Sequence, residues 1–333
     1  MTAGGARLAP VLGGRGVAAV EAALGRAGPR LPVLARQVAD NLRSVGLYSR
    51  SVHREYFRRV AAHLAGGLHV FRCPPDARGV SRRMSAELEA LVRRQIVLDD
   101  TVELLRSAAA DGKGLVIVSG HLTQYLFVLA RVNLEVPLTV FLRHSREPGR
   151  RWAKEQWCRC TGLDFIAEPS KRLDPTHRAA VLAEALQRGR VVVITPDLPQ
   201  KESAGAAAVR LLGRGVWLPS GPAALSLLTG APLLTTRART AGDALAVSFE
   251  GPLPAEPGGR SRGWRRAAVQ ERMQWFAERF ESWVRESPAA WFLWGDNRWT
   301  KVFRGDRRYA RPLDDRPANS AAAGSLGVAV AAS

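Results

Sequence analysis

The sequence predicts an α/β fold with a mostly parallel central sheet flanked by helices and a helical N-terminal region. Three observations lead there. Short apolar runs at residues 114–120, 138–143 and 191–195 have strand length. Segments of helical length and composition separate them. At 333 residues and 46% hydrophobic composition, the chain can bury a core on both faces of a sheet.

Residues 35–68 read as one or two amphipathic helices. Leu42, Val45, Val52, Phe57, Val60 and Leu64 form the apolar side, and Arg36, Arg43, Arg54, Arg58 and Arg59 form a solvated one. Residues 101–110 follow as a helix capped by Asp100 or Thr101 and stopped by Asp111-Gly112. Then comes the alternation: strand 114–120, helix 122–132, strand 138–143, helix 148–160, strand 164–167, helix 176–187 ended by Gly189, and strand 191–195. A helix over 219–228, strands over 233–236 and 244–249, and a long helix over 269–285 complete the pattern, with Met273, Phe276, Phe280 and Trp283 as a core stripe. Residues 254–266 read as a Gly- and Arg-rich loop. The expected organisation is a poorly ordered or short helical N-terminus over 1–34, one α/β domain over 35–305, and a disordered Ala, Ser, Pro and Gly tail over 306–333.

The formal charge of +19 creates an attractive field for phosphate-bearing partners and anionic membrane surfaces. No apolar run of about 18 residues exists, so no transmembrane segment is expected. The best N-terminal candidate, 10–28, is interrupted by Arg15, Glu21 and Arg26. It lacks the zones of a secretory signal, and Cys73, Cys158 and Cys160 make a poor disulfide framework. The expected compartment is a reducing cytoplasm, with peripheral contact at the inner membrane face. Cys158 and Cys160 lack partners at metal-ligand spacing and read as ordinary thiols.

In an open parallel sheet, ligands bind outside the carboxyl ends of the strands. His121 directly follows the 114–120 strand, where an imidazole can take a proton from a nucleophile while nearby backbone N–H groups stabilise an oxyanion. The alternative for a lone histidine there is an ordinary hydrogen-bonded strand terminus.

An ordered set of blocks runs along the chain. After the strand and His121 come Thr-Val-Phe-Leu-Arg-His at 139–144, Leu-Gln-Arg-Gly-Arg-Val-Val-Val-Ile-Thr-Pro-Asp at 186–197 and Leu212-Gly213. Pro-Ser-Gly-Pro-Ala-Ala-Leu at 219–225, Thr-Gly-Ala-Pro at 229–232 and Pro-Ala-Ala-Trp-Phe-Leu-Trp-Gly-Asp-Asn-Arg-Trp at 288–299 follow. With Ala-Arg-Gln-Val-Ala-Asp-Asn-Leu at 35–42, this order resembles the lipid A late acyltransferase family, which includes phosphatidylinositol mannoside acyltransferases and is lysophospholipid acyltransferase-like. The resemblance implies direct acyl transfer from a thioester of acyl carrier protein or coenzyme A to a hydroxyl, with His121 as general base. Such a mechanism requires no metal or redox cofactor.

The sequence departs from that family at one place. The motif histidine is followed five residues later by an acid, and this chain has Leu126 there. Three accounts of the departure are open. Asp197, at the end of another strand, replaces the acid; Gln124 or Thr123 holds the imidazole by a neutral hydrogen bond; or the cleft is catalytically dead and the basic protein binds a polyanion. A weaker base would suit an amine or hydroxylamine acceptor, and the basic surface would suit an aminoacyl-tRNA donor in a specialised-metabolite pathway. Arg143 matches the family's strand-end arginine and is expected to grip substrate. Arg146, Arg150 and Arg151, with Lys154 and Arg159 around Trp152 and Trp157, form a further expected phosphate-binding set, the tryptophans being buried.

Overall fold

The computed structural model describes residues 14–72, 84–122, 124–142, 145, 147–168, 175–242, 244–254 and 262–311. Its centre is a seven-stranded sheet built from β1 (Ile96–Leu98), β2 (Leu115–Val118), β3 (Leu138–Leu142), β4 (Asp164–Ala167), β5 (Val191–Ile194), β8 (Leu233–Ala241) and β9 (Ala244–Leu253). The order across the sheet is β1-β9-β8-β2-β5-β3-β4. Strands β8, β2, β5, β3 and β4 run parallel, and the β9–β1 pair at one edge runs the other way. The fold is the expected α/β arrangement. A three-stranded antiparallel sheet, β10-β7-β6, comes from β6 (Ala206–Leu211), β7 (Arg214–Pro219) and β10 (Ala310–Arg311).

The helices are α1 (Gly14–Ala27), α2 (Pro32–Arg43), α3 (Arg50–Arg72), α4 (Ala86–Gln95), α5 (Val102–Ala110), α6 (Tyr125–Val132), α7 (Pro148–Cys160), α8 (Pro175–Gln187), α9 (Gly221–Thr229), α10 (Arg262–Glu286) and α11 (Asn297–Phe303). Because successive strand residues face opposite ways, β2 divides its side chains between two cores. Val116 and Val118 join a core with Leu182 and Leu186 of α8, Leu225 of α9, and Met273, Phe276 and Phe280 of α10. Leu115 and Ile117 join a second with Leu88 of α4, Leu105 of α5, Val128 and Val132 of α6, and Trp157 of α7. All four β2 residues are therefore buried, which is why the strand reads as a continuous apolar run.

Helix α3 joins the two cores. Tyr56 and Phe57 near its start belong to the first, and Ala65, Leu68, Val70 and Phe71 near its end belong to the second. On the way it donates from Arg59 Nη2 to Thr240 Oγ1 at 3.0 Å, near the end of β8. Gly66 lies so close to α6 that a Cβ there would meet the Phe127 ring at 2.4 Å. The helix thus crosses the carboxyl edge of the sheet as a roof.

Several sequence expectations need correction. Helix α10 begins at Arg262, so residues 262–266 are helix rather than loop. Helix α9 starts at Gly221 because Pro219 ends β7. Trp157 is buried, but Trp152 is 39% exposed and stacks on Phe71 at 6.3 Å. Cys158 and Cys160 are buried, and burial pushes the Cys158 thiol up to about 12. Within the expected N-terminal segment, residues 14–27 form α1, which packs on α3. Cys73 and residues 312–333 lie outside the described residues.

Candidate active site

β2 and β5 are neighbours in parallel register, with Val118 opposite Ile194. Ser119 N–H continues the pairing by donating to Ile194 O at 3.2 Å. His121 lies three residues past Val118 and Asp197 three past Ile194, so equal extensions of adjacent strands bring both residues to the same level above the sheet. Asp197 Oδ1 accepts from His121 Nδ1 at 2.6 Å, and Asp197 Oδ2 accepts from the His121 backbone N–H at 2.8 Å. A carboxylate only accepts, so Nδ1 carries the imidazole proton and Nε2 presents a lone pair.

Residues 288–299 complete the support. Trp291 Nε1 donates to Asp197 Oδ2 at 3.1 Å, and Trp299 Nε1 donates to Asp197 O at 2.9 Å. Trp291 also makes an antiparallel bridge with Leu122, and Phe292 N–H donates to His121 O at 2.9 Å. Both indoles are fully buried: Trp291 packs edge-on with Phe280, Trp294 and Trp299, and Trp299 stacks on Phe303. The Asp197 carboxylate, itself 0% exposed, therefore has three N–H donors in a dry setting.

The electrostatics follow. Burial alone pushes the His121 imidazole down, but the charge and hydrogen bond of Asp197 outweigh it, and the pKa rises above its ordinary value. Tyr125, packed edge-on to His121 at 5.1 Å, is pushed up to about 12 by burial and then by the Asp197 charge. Asp296 Oδ1 and Oδ2 hold the Arg298 guanidinium at 3.0 and 2.8 Å, and this pair also acts on His121 through space.

The other expected site residues fall in different places. Gln124 caps α6 in the left-handed conformation, φ 61°, with no side-chain capping bond, and Nδ1 of the imidazole is taken by Asp197. Leu126 packs partly buried against the second core. Arg150 is exposed and ion-paired to Glu147 at 3.4 Å, and Arg151 is exposed on the same helix, α7. Thr123, Arg143 and Arg146 lie outside the described residues. Sequence reasoning missed the roles of Trp291 and Trp299. The signal was available, since indoles dense in one short segment need buried partners for their N–H groups.

Among the described residues, no helix is long and apolar enough to cross a membrane. No curated protein matches the chain. A similar solved structure is the 1-acyl-sn-glycerophosphate (LPA) acyltransferase PlsC from Thermotoga maritima, 11% identical over 73% of this chain and 87% of that one, with a TM-score of 0.35. The model of the bacterial lipid A biosynthesis acyltransferase family matches residues 89–301. That match takes in β1 through most of α11, with the His121 loop, Asp197 and both indoles, and the chain belongs to this acyltransferase family.

Proposed function

We propose that the protein moves an acyl group from a thioester of acyl carrier protein or coenzyme A to a hydroxyl acceptor, with His121 as general base and Asp197 as its orienting acid. The observation that carries this reading is the 2.6 Å hydrogen bond between Asp197 and His121 Nδ1, which leaves Nε2 free to accept a proton. The acceptor oxygen attacks the thioester carbonyl as its proton passes to Nε2. The tetrahedral intermediate then collapses, the C–S bond breaks, and the leaving thiolate takes the proton from the imidazolium.

The same contact bears on the acceptor. A neutral hydrogen-bond partner for His121 would have favoured an amine, which attacks without strong base assistance. A buried carboxylate instead strengthens the base and brings a hydroxyl within reach. Aminoacyl-tRNA thereby loses the argument from a missing acid and keeps only the argument from charge. The test is discharge of labelled acyl carrier protein, acyl-coenzyme A and aminoacyl-tRNA by the purified protein, each with hydroxyl and amine acceptors. Thioester discharge that requires His121 supports the reading; discharge of aminoacyl-tRNA alone replaces it; discharge of none removes it.

A further inference from the structure

A groove of about 330 Å³ runs between α2 and α11. Arg36 and Asp40 line it from α2, and Asn297, Thr300 and Arg304 line it from α11 and its C-terminal end. Arg36 and Arg304 are exposed, and neither guanidinium has a hydrogen-bond or ion-pair partner among the described residues. The one carboxylate of the lining, Asp40, is already held by Arg43 at 2.9 Å. Two uncompensated positive charges therefore share one cavity. A larger groove along α3, of about 610 Å³, differs in this respect. There Glu55 accepts from Arg58 and Arg59, each at 2.7 Å, and Glu286 accepts from Arg237 at 2.9 Å.

The rest of the smaller groove is set by α2. Gln37 Nε2 donates to Gly295 O and Asn297 Oδ1, both at 3.0 Å, and to Thr300 Oγ1 at 2.9 Å. With its oxygen taken, Asn297 keeps two amide N–H donors, from which no described residue accepts. Pro32 and Val33, the latter 79% exposed, add an apolar rim. The lining thus combines two guanidinium forks, an amide donor and an apolar edge. A phosphate monoester matches that set: near neutral pH it carries up to two negative charges and three acceptor oxygens, and its organic group can lie on the rim. A carboxylate or a phosphodiester balances only one of the two charges. The lining includes neither His121 nor Asp197.

We infer that Arg36 and Arg304 form a binding site for a phosphate monoester, separate from the His121–Asp197 centre, and that its occupancy ties α2 to α11. The site stands on its own lining and does not depend on the acyl-transfer reading. The phosphate belongs either to a soluble metabolite or to a lipid headgroup, with the same chemistry in the groove.

The experiment titrates the full chain with glycerol 3-phosphate by calorimetry and measures its flotation with phosphatidylcholine vesicles, with and without phosphatidic acid. Binding of one glycerol 3-phosphate per chain assigns a soluble ligand; flotation that requires phosphatidic acid, without such binding, assigns a lipid headgroup. In either case Arg36→Gln and Arg304→Gln, each checked for folding by circular dichroism, should weaken binding about tenfold or more, and Asn297→Ala should weaken it less. Arg239→Gln removes an exposed, unpaired arginine near the end of β8 and should leave binding unchanged. An equal loss in Arg239→Gln would show that net charge alone attracts the phosphate and would overturn the site. Unchanged binding in Arg36→Gln and Arg304→Gln would overturn it too, as would binding of neither probe. Hydrogen exchange gives a second readout: the bound probe should slow exchange over residues 32–43 and 297–304, and slowing confined to other segments would contradict the inference.

Discussion

Asp197 holds His121 at two points, accepting from ring Nδ1 at 2.6 Å and from the backbone N–H at 2.8 Å. The second bond ties the backbone at the strand end, so the carboxylate fixes both where the residue sits and which way its ring turns. An amide cannot reproduce this pattern, since only its oxygen accepts. Asp197→Asn is predicted to lower acyl transfer about 10²- to 10⁴-fold with the fold retained, measured as initial rate beside a circular dichroism spectrum.

The pH profile follows from the same pair. His121 works as a base when neutral, and its pKa stands above the ordinary value because the Asp197 charge and hydrogen bond outweigh burial. Activity should rise with pH and level off above that raised value. In Asp197→Asn the largest opposition to burial is lost, so the inflection should move down while the plateau falls. For stability the sign is opposite: a raised folded pKa contributes fully below the unfolded value near 6.5, and the contribution is lost as pH rises through the folded value. Denaturant melts of wild type and His121→Ala across this range should converge at high pH.

Leu126 stands where the family motif has an acid, and it packs against the second core. With Nδ1 already engaged by Asp197, Leu126→Glu has no vacant role to fill. It is predicted to leave transfer to hydroxyl acceptors no faster than wild type and to cost about 1–3 kcal/mol of stability by burying a carboxylate. Rates and urea midpoints measured together would check this, and a clear gain in rate would show that Leu126 is a lost catalytic position.

Trp291→Phe keeps a six-membered aromatic ring but removes one of the three donors to the Asp197 carboxylate and part of a fully buried side chain. The expected cost is at least about 1.5–3 kcal/mol, the worth of a hydrogen bond to a charged group, with the lost packing added to it, read from thermal or urea denaturation. Gly120→Ala tests the packing beside the base. A Cβ there would meet Phe280 Cε2 at 2.0 Å, and Phe280 is fully buried and packed against Phe276 and Trp291. The substitution should cost about 1–3 kcal/mol and disturb the turn that carries His121, seen as lower activity at a temperature where the protein remains folded.

The core of this fold was legible because its central strands are buried on both faces. Runs such as Leu115–Val118 and Val191–Ile194 admit one reading once helices flank them. The hairpin between β6 and β7 was not legible. Its two-residue turn puts Leu212 at φ 53°, a conformation leucine seldom adopts, and the Leu212 N–H is held instead by Glu281 of α10 at 2.7 Å. No local turn signal can announce a contact from 69 residues away. The same contrast marks the polar residues. His121 and Asp197 stand out just past apolar strands, whereas Arg36 sits on a helix face that reads as solvated and becomes informative only once Arg304 is seen to line the same groove.

The most direct test of the central claim is single-turnover discharge of labelled acyl carrier protein and acyl-coenzyme A by wild type and His121→Ala, with folding of both verified. The account predicts acyl transfer by the wild type and a loss of about 10²-fold or more in the variant. Equal rates in the two proteins would contradict it.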